Sequence, residues 1–137
     1  MSFNNDTIKI LIKQAKIQSE SALPICSGIH VGCSLLMKCG YGEQCIVSAS
    51  NIEYHGHFAT HAEIAAISKA VACWHNLKDV EAVCVWFEPK IQFPCGSCLQ
   101  ALSCHLSSDT VVIAASHDGY EIRTLAELLP CAYISRN

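Results

Sequence analysis

The stretch EAVCVWFEPKIQFPCGSCLQALSCHLSSDTVVIAASHDGYEIRT, residues 81–124, decides the fold. Residues 81–87 are apolar almost throughout, as a strand covered on both faces is, so they read as a central strand. After a loop, CGSCLQALSCHL reads as a helix beginning at Cys95, and TVVIAAS (110–116) as the next strand. Only His117, Asp118 and Gly119 separate that strand from YEIRT. These are too few for a crossover helix, so the last two strands form an antiparallel hairpin.

Working outward, Asp6 and Thr7 can cap a helix in which Ile8, Leu11 and Ala15 recur at helical spacing, ending before Pro24. HVGCSLLM (30–37) and EQCIVSAS (43–50) read as antiparallel strands joined by KCGYG, whose two glycines predict a tight hairpin. Thr60 caps a helix running to about His75, with Ile64, Ile67, Ala70, Val71 and Trp74 on one side. LAELL gives a last helical turn or two before Pro130. The expected architecture is α/β, a three-layer α/β/α sandwich around a five-stranded mixed sheet, with residues 1–137 as one domain.

Composition narrows the function. Hydrophobic residues make up 51% and charged ones 15%, with a net charge of -3, so the broad basicity of a nucleic-acid binder is missing. The first 18 residues carry Lys9, Lys13 and Lys16 among their apolar positions, which breaks up any signal-peptide core. No apolar run approaches the roughly 18 residues of a membrane span. A cytoplasmic protein without a membrane partner is therefore expected, whose ten cysteines stay reduced and mostly pack as small hydrophobes. Trp74 and Trp86 are expected in the core.

Cys95 and Cys98 have the C-x-x-C spacing that lets two thiolates reach one metal from a single turn, and a helix starting at Cys95 would favour the thiolate forms. THAEIAA, at the other helix start, offers His61 and Glu63. In an α/β sheet such loop-to-helix junctions meet in one crevice. His61, Cys95 and Cys98 then supply three ligands to a tetrahedral zinc ion, one per chain, and leave the fourth position for water. Glu63 stands beside that water as a general acid and base. Two other readings of CGSC stay open at this level. One is a thioredoxin-like redox pair, against which the 39 residues after Cys98 are too few. The other is a non-catalytic structural zinc module closed by Cys104 or His105, which would leave Glu63 without a role.

His61-Ala62-Glu63 followed by Pro94-Cys95-Gly96-Ser97-Cys98 resembles the cytidine deaminase superfamily, whose zinc deaminase signature is H-x-E with P-C-x-x-C. The resemblance implies zinc-assisted attack of water on C4 of a cytosine ring, with Glu63 shuttling protons and a uracil product. SASNIEYHG and ELLPCAY extend the likeness. By it, Asn51 and Glu53 would bond ribose hydroxyls, while Ala62, Ile29 and the carbonyls of Phe93 and Pro94 would contact the base. Tyr133 would close the pocket, of its own chain or of a neighbouring subunit, in a homotetramer or homodimer. The antiparallel last strands resemble the free-nucleoside branch, which implies cytidine or 2′-deoxycytidine as substrate, in pyrimidine salvage, and no polynucleotide.

Departures from the pattern mark the base pocket. Ile29 stands where the family usually places a stacking aromatic, and Leu99 replaces an arginine. The similar blasticidin S deaminases act on a modified cytosine nucleoside and generally lack a glutamate at the position of Glu53, so Glu53 favours a ribose-bearing substrate. His55 and His57 are expected in loops near the pocket mouth.

Overall fold

The computed structural model describes residues 3–56 and 58–135. Helix α1 (Asn5–Ser19) is followed by strands β1 (Val31–Lys38) and β2 (Gln44–Ser50), then by the short strands β3 (Ile52–Tyr54) and β4 (Phe58–Thr60). Helix α2 (Ala62–Ala72), strand β5 (Val80–Phe87), helix α3 (Gly96–His105), strands β6 (Val111–Ser116) and β7 (Gly119–Thr124) and helix α4 (Leu125–Leu128) complete the chain. The main sheet has the order β2-β1-β5-β6-β7. Within it β5 and β6 run parallel, and the other neighbours run antiparallel, including β6 with β7. The five-stranded mixed sheet is therefore the expected one, with residues 81–87 at its centre.

Alternation along the strands separates two cores. Leu35 and Met37 of β1, Val83 and Val85 of β5, and Val112 of β6 pack with Ala66 and Ala70 of α2 and Leu102 of α3. Leu36, Ala82, Cys84, Trp86 and Ile113 point the other way, onto Ile8, Leu11 and Ala15 of α1. Helices thus cover both faces, and strands buried on both sides read as near-continuous apolar runs. Contact between α1 and β1 is close at Gly32, where a Cβ would collide with the Ala15 carbonyl.

Several local expectations are corrected. Asn4 rather than Asp6 or Thr7 caps α1, its Oδ1 accepting from the Thr7 N–H at 2.8 Å. A 3-10 turn (Gly40–Gly42) with Tyr41 in the left-handed region connects β1 to β2. This brings Cys39 and Cys45 together, with Cα atoms 6.1 Å apart, as a disulfide rather than as two packed thiols. The β3–β4 hairpin lies in a segment expected to be loop. Helix α2 stops at Ala72, and Trp74, expected in its apolar stripe, is 96% exposed.

Candidate active site

Helices α2 and α3 begin alike. His61 occupies the cap position of α2 with φ -68° and ψ 154°, and Cys95 that of α3 with φ -65° and ψ 166°. Each carbonyl accepts the first intrahelical bond, from Ala65 and Leu99, both at 2.9 Å. Neither side chain caps its own helix. Forgoing a Ser, Thr, Asp or Asn cap costs about 1 kcal/mol per helix. Thr60, expected as the cap, is instead the last residue of β4. Both freed side chains converge: His61 Nδ1 lies 3.5 Å from Cys95 Sγ and 3.2 Å from Cys98 Sγ, in the first turn of α3.

All three ligand atoms lie within 4.8 Å of one another. Tetrahedral zinc, with Zn–S of about 2.3 Å and Zn–N of about 2.0–2.1 Å, spaces its ligands by roughly 3.5 Å, so this nitrogen and two sulfurs fit the ion. Both cysteines are free thiols, and among the described residues neither Cys104 nor His105 joins the group. Burial first, then the Glu63 carboxylate, push the Cys98 thiol well above the ordinary range. A thiolate at this buried position needs a cation beside it, which is what a zinc ion supplies.

His61 and Cys95 line a cavity of about 380 Å³, in the range of small-molecule sites, with Cys98 buried behind them. Glu63 lines it and is only 4% exposed. Ala62 and Pro94, both buried, with Phe93 and Ile29, form apolar wall. Asn51 and Glu53 also line the cavity, but their polar atoms are already engaged. Asn51 is buried; its Oδ1 accepts from the Val31 N–H at 2.8 Å, and its Nδ2 donates to the Ile29 carbonyl at 2.9 Å. The Glu53 carboxylate accepts from the N–H groups of Cys26 and Ser27 and from the Ser27 hydroxyl, at 2.7–2.9 Å. These bonds, that of the Ser27 backbone foremost, hold its carboxyl below the ordinary value. The pair therefore staples the loop that carries Ile29 to the rim of the cavity.

Tyr133 is 76% exposed and does not line the cavity of its own chain. Gln100 of α3, which sequence reasoning passed over, holds that tail: its Nε2 donates to the Tyr133 carbonyl and its Oε1 accepts from the Tyr133 N–H. No sequence signal marks so local a use of an ordinary helical glutamine. His55 is exposed in the β3–β4 turn and does not line the cavity, and His57 lies outside the described residues.

A family model described as the cytidine and deoxycytidylate deaminase zinc-binding region matches residues 5–115. The chain belongs to this deaminase family. Among solved structures, cytidine deaminase from Burkholderia pseudomallei superposes with a TM-score of 0.83 at 23% identity, covering 96% of this chain and all of that one. Those from Mycobacterium tuberculosis and Mycobacterium leprae give 0.71 at 20% and 0.70 at 24% identity. They cover 92% and 94% of this chain, and 96% and 99% of theirs. At such identities the likeness establishes the shared fold. A search of curated protein sequences finds no match. For a zinc-binding deaminase the two H-x-E and P-C-x-x-C segments are the ones that meet at the cavity. No helix among the described residues is long and apolar enough to cross a membrane.

Proposed function

We propose that residues 1–137 act as one zinc-dependent domain that hydrolyses cytidine or 2′-deoxycytidine to the corresponding uridine and ammonia, as in pyrimidine salvage. The observation that carries this reading is the convergence of His61, Cys95 and Cys98 beside a cavity of nucleoside size that also holds the buried Glu63. Zinc held by these residues would activate the attacking water and polarise the reacting centre. Glu63 would hold the proton that the water gives up, then deliver it to N3 of the ring and on to the amino group leaving C4. The Phe93 and Pro94 carbonyls would accept from that amino group, Ala62 and Ile29 would pack against the ring, and the remaining capacity of Asn51 and Glu53 would face the sugar.

One observation favours a modified cytosine nucleoside, such as blasticidin S, as the second reading. Glu53 already accepts three hydrogen bonds from its own chain, which leaves it little for a ribose. The exposed Leu23, Ile25, Ile122 and Ile134 support coverage by further copies of the chain, in a homotetramer or homodimer in which a neighbour's Tyr133 would close the cavity. The short β6–β7 link and the lack of basic surface favour a free nucleoside over a polynucleotide.

Incubating zinc-loaded protein with cytidine should give the absorbance loss of conversion to uridine. Absence of turnover on cytidine, deoxycytidine and blasticidin S would sink the substrate class. Glu63→Gln should retain zinc while losing at least about 10²–10⁴ in rate. An active variant would assign the proton transfer to another group.

A further inference from the structure

A second cluster of ligating side chains lies at the far end of α2. Eleven residues after its start this helix has risen about 16 Å, and there the chain leaves it through a paired turn. The His75 N–H donates to the Ala70 carbonyl and the Trp74 N–H to the Val71 carbonyl, both at 3.0 Å. Trp74 thus occupies the left-handed position normally given to glycine, at φ 66°. Its ring is almost wholly exposed, so burial of the indole does not hold it there. Tyr41, in the β1–β2 turn, is equally exposed and also has φ 66°. Among the described residues these are the two non-glycine positions with positive φ, and each is strained. Both flank one place. Tyr41 lies between Cys39 and Cys45, Trp74 immediately precedes His75, and the ligand atoms of Cys39, Cys45 and His75 fall within 4.8 Å of one another.

We propose that Cys39, Cys45 and His75 form a second metal site, for a borderline-soft divalent ion of the zinc class, whenever the Cys39–Cys45 disulfide is reduced. A disulfide uses two sulfurs and needs no imidazole, whereas this pair has one within ligand range. Two thiolates and a neutral imidazole neutralise a dication, and the carbonyl end of α2 favours positive charge. All three residues are half-buried, which leaves room for solvent as a fourth ligand. Neither Cys39 nor His75 lines the cavity near Glu63, so the ion would tie the hairpin to the helix end rather than take part in chemistry. Reduction takes two electrons and two protons from a dithiol, which becomes a cyclic disulfide, and metal binding then releases the two thiol protons to solvent.

The test uses the full chain, reduced with dithiothreitol, freed of reductant and metal, and titrated with Co²⁺ while thiolate charge-transfer absorption is followed. Reduced protein should bind two equivalents, and protein with the disulfide intact one. His75→Ala and Cys45→Ser should each remove one equivalent from the reduced protein, and Cys98→Ala the other. His75→Ala alters an exposed turn and, with its circular dichroism checked, serves if Cys45→Ser fails to fold. Uptake of a single equivalent by the reduced wild type, the disulfide being structural only, would overturn the site, as would a second equivalent that survives His75→Ala. None of these readouts depends on deaminase turnover.

Discussion

Helix α2 carries a histidine beside two cysteine sulfurs at each end, and the two ends differ in everything around those atoms. At the start, His61 sits in the cap position of α2 and faces Cys95, in the cap position of α3, and Cys98. A cavity opens beside it, with a buried carboxylate in the wall. Past the end, His75 follows a left-handed tryptophan and meets a hairpin turn, at the carbonyl end of the helix. The same donor types therefore suit different tasks. A nitrogen and two sulfurs become catalytic only where substrate space and a proton acceptor share the site; elsewhere they can only fasten one element to another.

Turnover should separate the ends most. Cys98→Ala removes a proposed ligand that is 1% exposed and should abolish both zinc retention at that site and deamination, whereas His75→Ala should leave deamination of the same nucleoside unchanged. Parallel assays of the two purified variants check this. Loss of activity in His75→Ala with the catalytic zinc retained would mean that the far end of α2 is coupled to the chemistry.

Stability should separate them next. The catalytic end depends on Asn51, whose amide joins two backbone groups of residues 29–31. Asn51→Ala leaves the Val31 N–H and the Ile29 carbonyl unpaired, at a cost of about 2–3 kcal/mol. For a domain of this size that lowers Tm by roughly 10 °C. A thermal melt that moves by less than a quarter of this would show that the loop is held by other means.

How far these ends could be read in the sequence follows from the range of the interactions involved. The central strand at 81–87 and the hairpin at 110–124 are written in local apolar patterns, and both are where those patterns put them. His61, Cys95 and Cys98 were legible because ligand spacing is a chemical constraint that survives any loop between the motifs. Thr60 misled because a threonine before a helix is ordinarily its cap, and here the cap position is given to His61, whose side chain turns to the two cysteines instead. Cys39, Cys45 and His75 were illegible as a group. Their approach depends on left-handed Tyr41 and Trp74, which no propensity assigns to such residues. Glu53, expected to bond ribose hydroxyls, lines the cavity, but its three donors come from residues 26 and 27, which local pattern cannot pair with it.

Acidity offers the smallest distinction, at the rim of the catalytic end. The folded Glu53 carboxyl lies below its ordinary value of 4.5, chiefly because the Ser27 backbone N–H and hydroxyl and the Cys26 N–H bond its charged form. A carboxyl depressed by folding contributes stability that is fully present above its unfolded value and is lost as pH falls through the folded one. The difference in stability between wild type and Glu53→Gln should therefore be constant near neutrality and shrink below about pH 4.5. Urea unfolding at a series of pH values measures it, and a gap that stays constant or widens on acidification would mean that the loop bonds do not favour the charged form.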